Sequence, residues 1–338
     1  MKVVSTVIVL LMLALSASML TAVLRRYALR RRLIDVPNAR SSHTVPTPRG
    51  GGLAIVACML VVMPMLAWSG AISHGAGWAL LGSGLMVAGV GFLDDHGHIP
   101  ARWRLLVHFA AAGWALWWMG GAPPVTIGGH VLETGVITNV IAALYLVWVL
   151  NLYNFMDGID GIAGVEAVTV CLGAAALHIF TGTSGAALLA LTLAAATSGF
   201  LYWNLPPARI FLGDAGSGFL GIVLGVMSLH AGWMSPAHWW AWLILLGVFV
   251  VDASVTLLQR MLRGAKIYEA HRSHAYQHAA RRLGRHLPVT LAVGTINLCW
   301  LLPIALWVGT GGLDGALGLV IAYTPLLLLV QRLGAGRP

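Results

Sequence analysis

The feature that most limits what this chain can fold into is the recurrence, from one end to the other, of apolar runs close to membrane-spanning length. A hydrocarbon core of about 30 Å is crossed by roughly 20 apolar residues in a helix. Eleven segments approach that length: 3–24, 50–68, 77–93, 103–119, 136–152, 161–180, 184–202, 216–234, 239–259, 289–309 and 313–332. Composition agrees, since 59% of the 338 residues are hydrophobic and only 9% are charged, against roughly a quarter charged in soluble domains. The expected fold is therefore all-α, a polytopic integral membrane protein of about eleven transmembrane helices. The whole chain, 1–338, forms a single multi-pass domain and no soluble domain remains.

A formal charge of +9 raises the question of nucleic acid, but the arginines are spread over short loops with no aromatic-interleaved basic domain, so no nucleic-acid partner is expected. Topology accounts for them better. With the N-terminus outside, every basic residue except Lys2 falls on one side: Arg25, Arg26, Arg30, Arg31, Arg32, Arg40, Arg49, Arg102, Arg104, Arg209, the group in 260–285, Arg332 and Arg337. Positive charge marks the cytoplasmic side. In the first segment the charges follow the apolar run, whereas a cleavable signal carries them before it, so this is expected to be a retained helix. Cys58, Cys171 and Cys299 fall inside expected helices, are odd in number and lack metal-ligand spacing, which makes them packing residues. The longest outer loop, "GGAPPVTIGGHVLETG", has two β-prone triplets around Gly128-Gly129. A small outer β-hairpin near 125–132 is expected from that spacing.

The acids are distributed unevenly. Of eleven, Asp35, Asp94, Asp95, Asp157, Asp160, Asp214 and Glu269 lie in the inner loops, Glu133 and Asp314 lie outside, and Glu166 and Asp252 lie in helices. A transporter usually holds its ionisable groups near mid-membrane, because charge there costs several kcal/mol and is kept only for passage. Carboxylates gathered at one face favour an enzyme whose water-soluble substrate arrives from the cytoplasm.

Five inner stretches carry the chemistry, and each has a plainer reading beside the functional one. "GFLDDHGHIPARWRL" ends the third helix with Asp94 and Asp95, whose mutual repulsion a metal ion or cationic cluster would relieve; alone it could be a solvated helix end. "NFMDGIDG" spaces Asn154, Asp157 and Asp160 three apart, able to converge on a nucleotide or hydrated cation, or merely a polar loop with Asp157 capping a helix. "RIFLGDAGSGFLG" sets Asp214 among glycines before the eighth helix. Backbone can approach phosphate there, and the Asp could hold a bridging Mg²⁺, though an N-cap beside packing glycines reads the same. "AHRSHAYQHAARRLGRH" would place His271, His274 and His278 on one helical face among several arginines, as a phosphate site or a surface helix on anionic lipid. No Cys or Glu completes a zinc site. "DVPNARSSHTVPTPRGGG" packs Asn38, Arg40, His43 and Arg49 into a stiff loop, where both phosphate recognition and topology predict arginine. Asp252, inside the ninth helix, reads as a structural hydrogen-bond or arginine partner, and the tryptophan-rich outer tracts as an interfacial belt.

Taken together, "PNARSSH…PTPRGGG", "LDD", "NFMDGIDG" and "FLGDAGS", in order over residues from about 35 to 290, resemble the polyprenyl-phosphate N-acetylhexosamine-1-phosphate transferases. That family includes the enzymes that start O-antigen and common antigen, and phospho-N-acetylmuramoyl-pentapeptide transferase. The resemblance implies a bacterial inner-membrane enzyme with its active site on the cytoplasmic face. It implies Mg²⁺ as cofactor, with Mn²⁺ as a substitute, and transfer of a sugar 1-phosphate from a UDP-N-acetylhexosamine to undecaprenyl phosphate with release of UMP. By motif position, Asp214 and Asn154 would bind the metal, and Asp157, Asp160, Phe211, His43, Arg49 and Arg272 the substrates, with Phe211 stacking on uracil. Asp94, Asp95 and His274 would be catalytic, in a direct transfer or one through an aspartyl-phosphate. The segment "HRSHAYQH" resembles the Arg-x-His form of the O-antigen branch rather than the pentapeptide transferases' run of three histidines, and Tyr276 stands where a second histidine is frequent. A homodimer is compatible with the resemblance. Rival readings are a pentapeptide transferase and, from another class, a lipid-linked-sugar transporter, for which Asp252 is the one foothold.

Overall fold

The computed structural model describes residues 2–37, 42–43, 45–97, 99–265 and 271–337; Asn38, Arg40 and Glu269 lie outside the described residues. The chain begins with α1 (Lys2–Arg31), followed by a pair of two-residue antiparallel strands, β1 (Ile34–Asp35) and β2 (Thr47–Pro48). Next come α2 (Leu53–Trp68), α3 (His74–His96) and α4 (Ala101–Met119), then a hairpin of β3 (Val125–Ile127) and β4 (His130–Leu132). Four long helices follow: α5 (Val136–Met156), α6 (Ile162–Phe180), α7 (Ser184–Asn204) and α8 (Asp214–Met234). The remainder is α9 (Pro236–Leu245), α10 (Gly247–Leu262), α11 (Ala275–Leu283), α12 (Leu287–Ile296), a π-helical turn at Asn297–Leu301, α13 (Leu302–Gly309) and α14 (Gly315–Leu333).

Eight described helices, counting α12 to α13 as one, are long and apolar enough to cross a membrane, and nine if α9 and α10 form a single bent span. The all-α, polytopic expectation holds at that level, while the count of eleven is not reached. α2 has only 16 residues, and α4, which opens on Arg102 and Arg104, is not among the eight. Three expected segments differ in form. α1 runs on through its arginines to residue 31 instead of stopping at 24. The expected ninth span is two helices meeting at 69°, and the tenth is interrupted by the π-helical turn. The small sheet of β1 and β2 was not expected, because two-residue strands leave no alternating pattern. The hairpin is present, its turn made by Gly128 and Gly129 with φ of +56° and +81°, which is the left-handed pair that a primed turn requires.

α8 is the axis of the molecule, with 94% of its apolar window buried, and it packs against α3 and α5. Gly91 permits the α3 contact: a Cβ there would stand 2.5 Å from the Ala215 nitrogen and 2.6 Å from the Asp214 carbonyl carbon. Helices approach this closely in membranes only where a side chain is missing. The last turn of α3 is thereby brought against the first turn of α8, and two acidic motifs 119 residues apart share one place.

Candidate active site

The site is built around the start of α8. Its first free N–H groups, of Asp214 and Ala215, donate to the two carboxylate oxygens of Asp95 at 3.2 and 3.3 Å. An acid from α3 thus caps α8 and complements its dipole. Arg49, just after β2, donates from Nη2 to the Asp95 backbone carbonyl at 2.6 Å, and its Nε lies 3.9 Å from the Asp95 carboxylate. From α4, Arg104 Nη1 reaches Asp94 at 2.5 Å and Asp214 at 3.3 Å. Asp94 also accepts the Ile99 N–H at 2.7 Å. From α5, Asn154 Nδ2 donates to Asp214 Oδ1 at 3.0 Å and to Ser217 Oγ at 2.9 Å. On the far wall, Asp160 accepts the Ala208 N–H at 3.0 Å and stands 3.3 Å from His286 Nδ1. The His43 ring meets Phe211 edge-on with centroids 4.8 Å apart.

These groups surround a cavity of about 390 Å³. Eight residues named from the sequence line it: His43, Arg49, Asp95, Asn154, Asp157, Asp160, Phe211 and Asp214. Three do not. Asp94 lies behind Arg104, with a carboxylate only 9% exposed. His274, expected at the substrate, is buried with its Nδ1 turned 3.4 Å from Asp252. The ring therefore stands outside the cavity lining, beside that buried acid. Arg272 lines a neighbouring pocket of about 180 Å³ with Arg281 and Arg285, sharing Ser42, Gln277 and His286 with the main cavity. Asp252 has the structural hydrogen-bond role expected of it.

Sequence reasoning missed Arg104, His286, Gln277 and Asn204. A signal for Arg104 existed, since two adjacent acids at a buried helix end need a cation and Arg104 lies ten residues on. His286 sits in the same quoted stretch as His274 but carries no periodicity linking it to Asp160. The hydrogen bond to Asp160 raises its pKa against the opposing effect of burial. The Asp157 carboxyl is shifted in the same direction. Burial first, then the charges of Asp214, Asp95 and Asp160, raise its carboxyl well above the usual range.

Such crowding of acids is what a bound cation relieves. Among the described residues no three His, Cys, Asp or Glu side chains form a metal-holding group. Mg²⁺ takes one or two protein ligands beside water and phosphate oxygens and needs no such group. Asp214 and Asn154 fit that role, because the Asn154 carbonyl oxygen has no hydrogen bond among the described residues while its amide nitrogen is spent on Asp214 and Ser217.

Comparison with known proteins places this arrangement. Residues 77–232, which hold Asp94, Asp95, Asn154, Asp157, Asp160, Phe211 and Asp214, match the model of a family described as glycosyl transferase family 4. The chain is 30% identical to the decaprenyl-phosphate N-acetylglucosaminephosphotransferase of Mycolicibacterium smegmatis, over 86% of this chain and 76% of that one. It is 29% identical to a protein of Bacillus subtilis named probable undecaprenyl-phosphate N-acetylglucosaminyl 1-phosphate transferase, over 78% of this chain and 74% of the relative. A phospho-N-acetylmuramoyl-pentapeptide-transferase of Chlamydia muridarum is 31% identical over 63% of this chain and 68% of its own.

Proposed function

Because this chain belongs to glycosyl transferase family 4, we propose that it transfers an N-acetylhexosamine 1-phosphate from a UDP-sugar to undecaprenyl phosphate, releasing UMP. It is a membrane phosphotransferase acting on a polyprenyl phosphate, as its relatives' names say of them. The observation that carries the reading is the convergence of Asp95, Asp157, Asp160 and Asp214 on one cavity, with Arg49 as a lining cation and Arg104 bonded to Asp214 behind it. A polyanionic donor needs both signs of charge, cations for its phosphates and acids for the metal that accompanies them.

An oxygen of the carrier phosphate attacks the sugar-bearing β-phosphorus. The bond from that phosphorus to the oxygen bridging the α-phosphorus breaks, and UMP departs with that oxygen. The carrier phosphate is mostly dianionic near neutral pH, so the step needs no strong base. Asp94 and Asp95 act in this scheme by holding Arg104 and the start of α8, because their oxygens are already bonded there. Phe211, met edge-on by His43, is the ring that would stack on the uracil. Asp157 and Asp160 line the nucleotide side of the cavity, where carboxylates can accept from ribose hydroxyls. Bound between Asp214 and Asn154, Mg²⁺ would supply charge neutralisation to the diphosphate. On this reading the site faces the cytoplasm in a bacterial inner membrane, and the product starts a lipid-linked cell-envelope glycan such as O-antigen.

The test is UMP release by the purified protein in detergent with undecaprenyl phosphate, Mg²⁺ and a panel of UDP-sugars that includes UDP-MurNAc-pentapeptide. UMP that appears only with lipid, metal and a UDP-N-acetylhexosamine is the expected result. Turnover of the pentapeptide donor alone would favour the peptidoglycan branch, represented by the Chlamydia relative. No UMP from any donor, with folded protein, would overturn the reading.

A further inference from the structure

The loop that carries Asp157 and Asp160 joins α5 to α6, yet part of its support comes from α11. That helix starts against α10. The carboxylate of Asp252, 3% exposed, accepts the Ala275 N–H through Oδ1 and the Tyr276 N–H through Oδ2, each at 2.9 Å. It also accepts the Thr256 hydroxyl at 3.1 Å. The first N–H groups of a helix have no acceptor within it, so a buried acid at that point sets where the helix begins. One residue into α11, the Tyr276 hydroxyl donates to the Phe155 carbonyl at 3.0 Å. Phe155 is in the last turn of α5, where backbone carbonyls likewise lack a partner within the helix. The fit is close, since a Cβ on Gly158 would collide with that hydroxyl and come within 3.1 Å of Gln277 Nε2.

We propose that Asp252 and Tyr276 are positioning residues of the transfer reaction: Asp252 sets the start of α11, and the Tyr276 hydroxyl carried by α11 sets the Asp157–Asp160 loop. Neither lines the cavity. They act in series, two helix-end caps that tie a bent membrane helix to the floor of the site. Gly158 is glycine because the hydroxyl occupies the space of a side chain. The effect on turnover rests on the function proposed above, whereas the effect on the loop does not.

Two measurements on the full chain in detergent decide it. In the first, hydrogen exchange of residues 155–161 is compared between the wild type and Tyr276→Phe, which removes one oxygen. Faster exchange in that loop, with the melting temperature unchanged, is expected; unaltered exchange would overturn the proposal even if no donor were ever turned over. In the second, Tyr276→Phe should lower kcat roughly tenfold or more with the donor KM little changed, because small misplacements of reacting groups cost rate steeply. Gly158→Ala should lower it as well, and the two together should do less harm than their product, because removing the hydroxyl opens space for the methyl. Strictly multiplicative losses, or a kcat loss that only tracks the fraction of unfolded protein, would make Tyr276 a stability residue and defeat the proposal. Asp252→Asn is expected to reproduce the loop's faster exchange more strongly, with Tyr276→Phe deciding the matter if that variant does not fold.

Discussion

Asp214 is bonded at once to Asn154 on one oxygen and to Arg104 on the other. Its charge, rather than its shape, is what the proposed reaction needs. Asp214→Asn keeps the volume and removes the charge, so UMP release should fall by roughly a hundredfold or more while thermal unfolding in detergent stays near wild type. His286 permits a prediction in pH. Its pKa is raised in the folded protein by Asp160, so protonated His286 stabilises the fold. That contribution is fully present below the ordinary histidine value of about 6.5 and is lost as pH rises through the higher folded value. The melting temperature of the wild type should therefore exceed that of His286→Gln most in mild acid, and the gap should narrow toward alkaline pH. A gap independent of pH would separate His286 from the Asp160 pair.

Between elements, the α3–α8 contact controls the site. Two glycines two residues apart on α3 make a matched test. Gly91→Ala drives a methyl into the backbone of Asp214 and Ala215, whereas Gly89 has nothing within 4 Å of its Cβ position. Overpacking against backbone costs about 1–3 kcal/mol, so Gly91→Ala should lower the melting temperature and displace Asp214 enough to reduce turnover. Gly89→Ala should leave both near wild type. Equal behaviour of the two variants would show that the close approach is not what joins the two motifs.

For the whole molecule, the hairpin and the acidic cavity lie at opposite ends of α5, a helix of 21 residues, which is about 30 Å long. They should therefore face opposite sides of a membrane. In proteoliposomes of a Cys299→Ala background, a membrane-impermeant maleimide should modify His130→Cys from one side and Leu283→Cys from the other. Leu283 should react from the side on which added UDP-sugar supports turnover. Modification of both from one side would overturn the orientation proposed here.

Much of this was legible in sequence because the bilayer imposes simple rules. Apolar run length identifies helices, and the "NFMDGIDG" and "FLGDAGS" motifs placed Asn154, Asp157, Asp160 and Asp214 in the residues that do line the cavity. The glycine pair of the hairpin was readable for the same reason, since a tight turn has local chemistry. What escaped depends on partners far apart in the chain. The pairings of Arg104 with Asp214, of His286 with Asp160 and of His274 with Asp252 each join residues from different elements. Sequence alone determined that this chain is a polytopic helical membrane protein whose acids gather at one face, because hydrophobic length and charge position are local properties. The tertiary structure alone decided which side chains reach the cavity and which support it from behind, because a hydrogen bond 119 residues long, such as that from the Asp214 N–H to Asp95, is specified by packing and leaves no pattern between its ends.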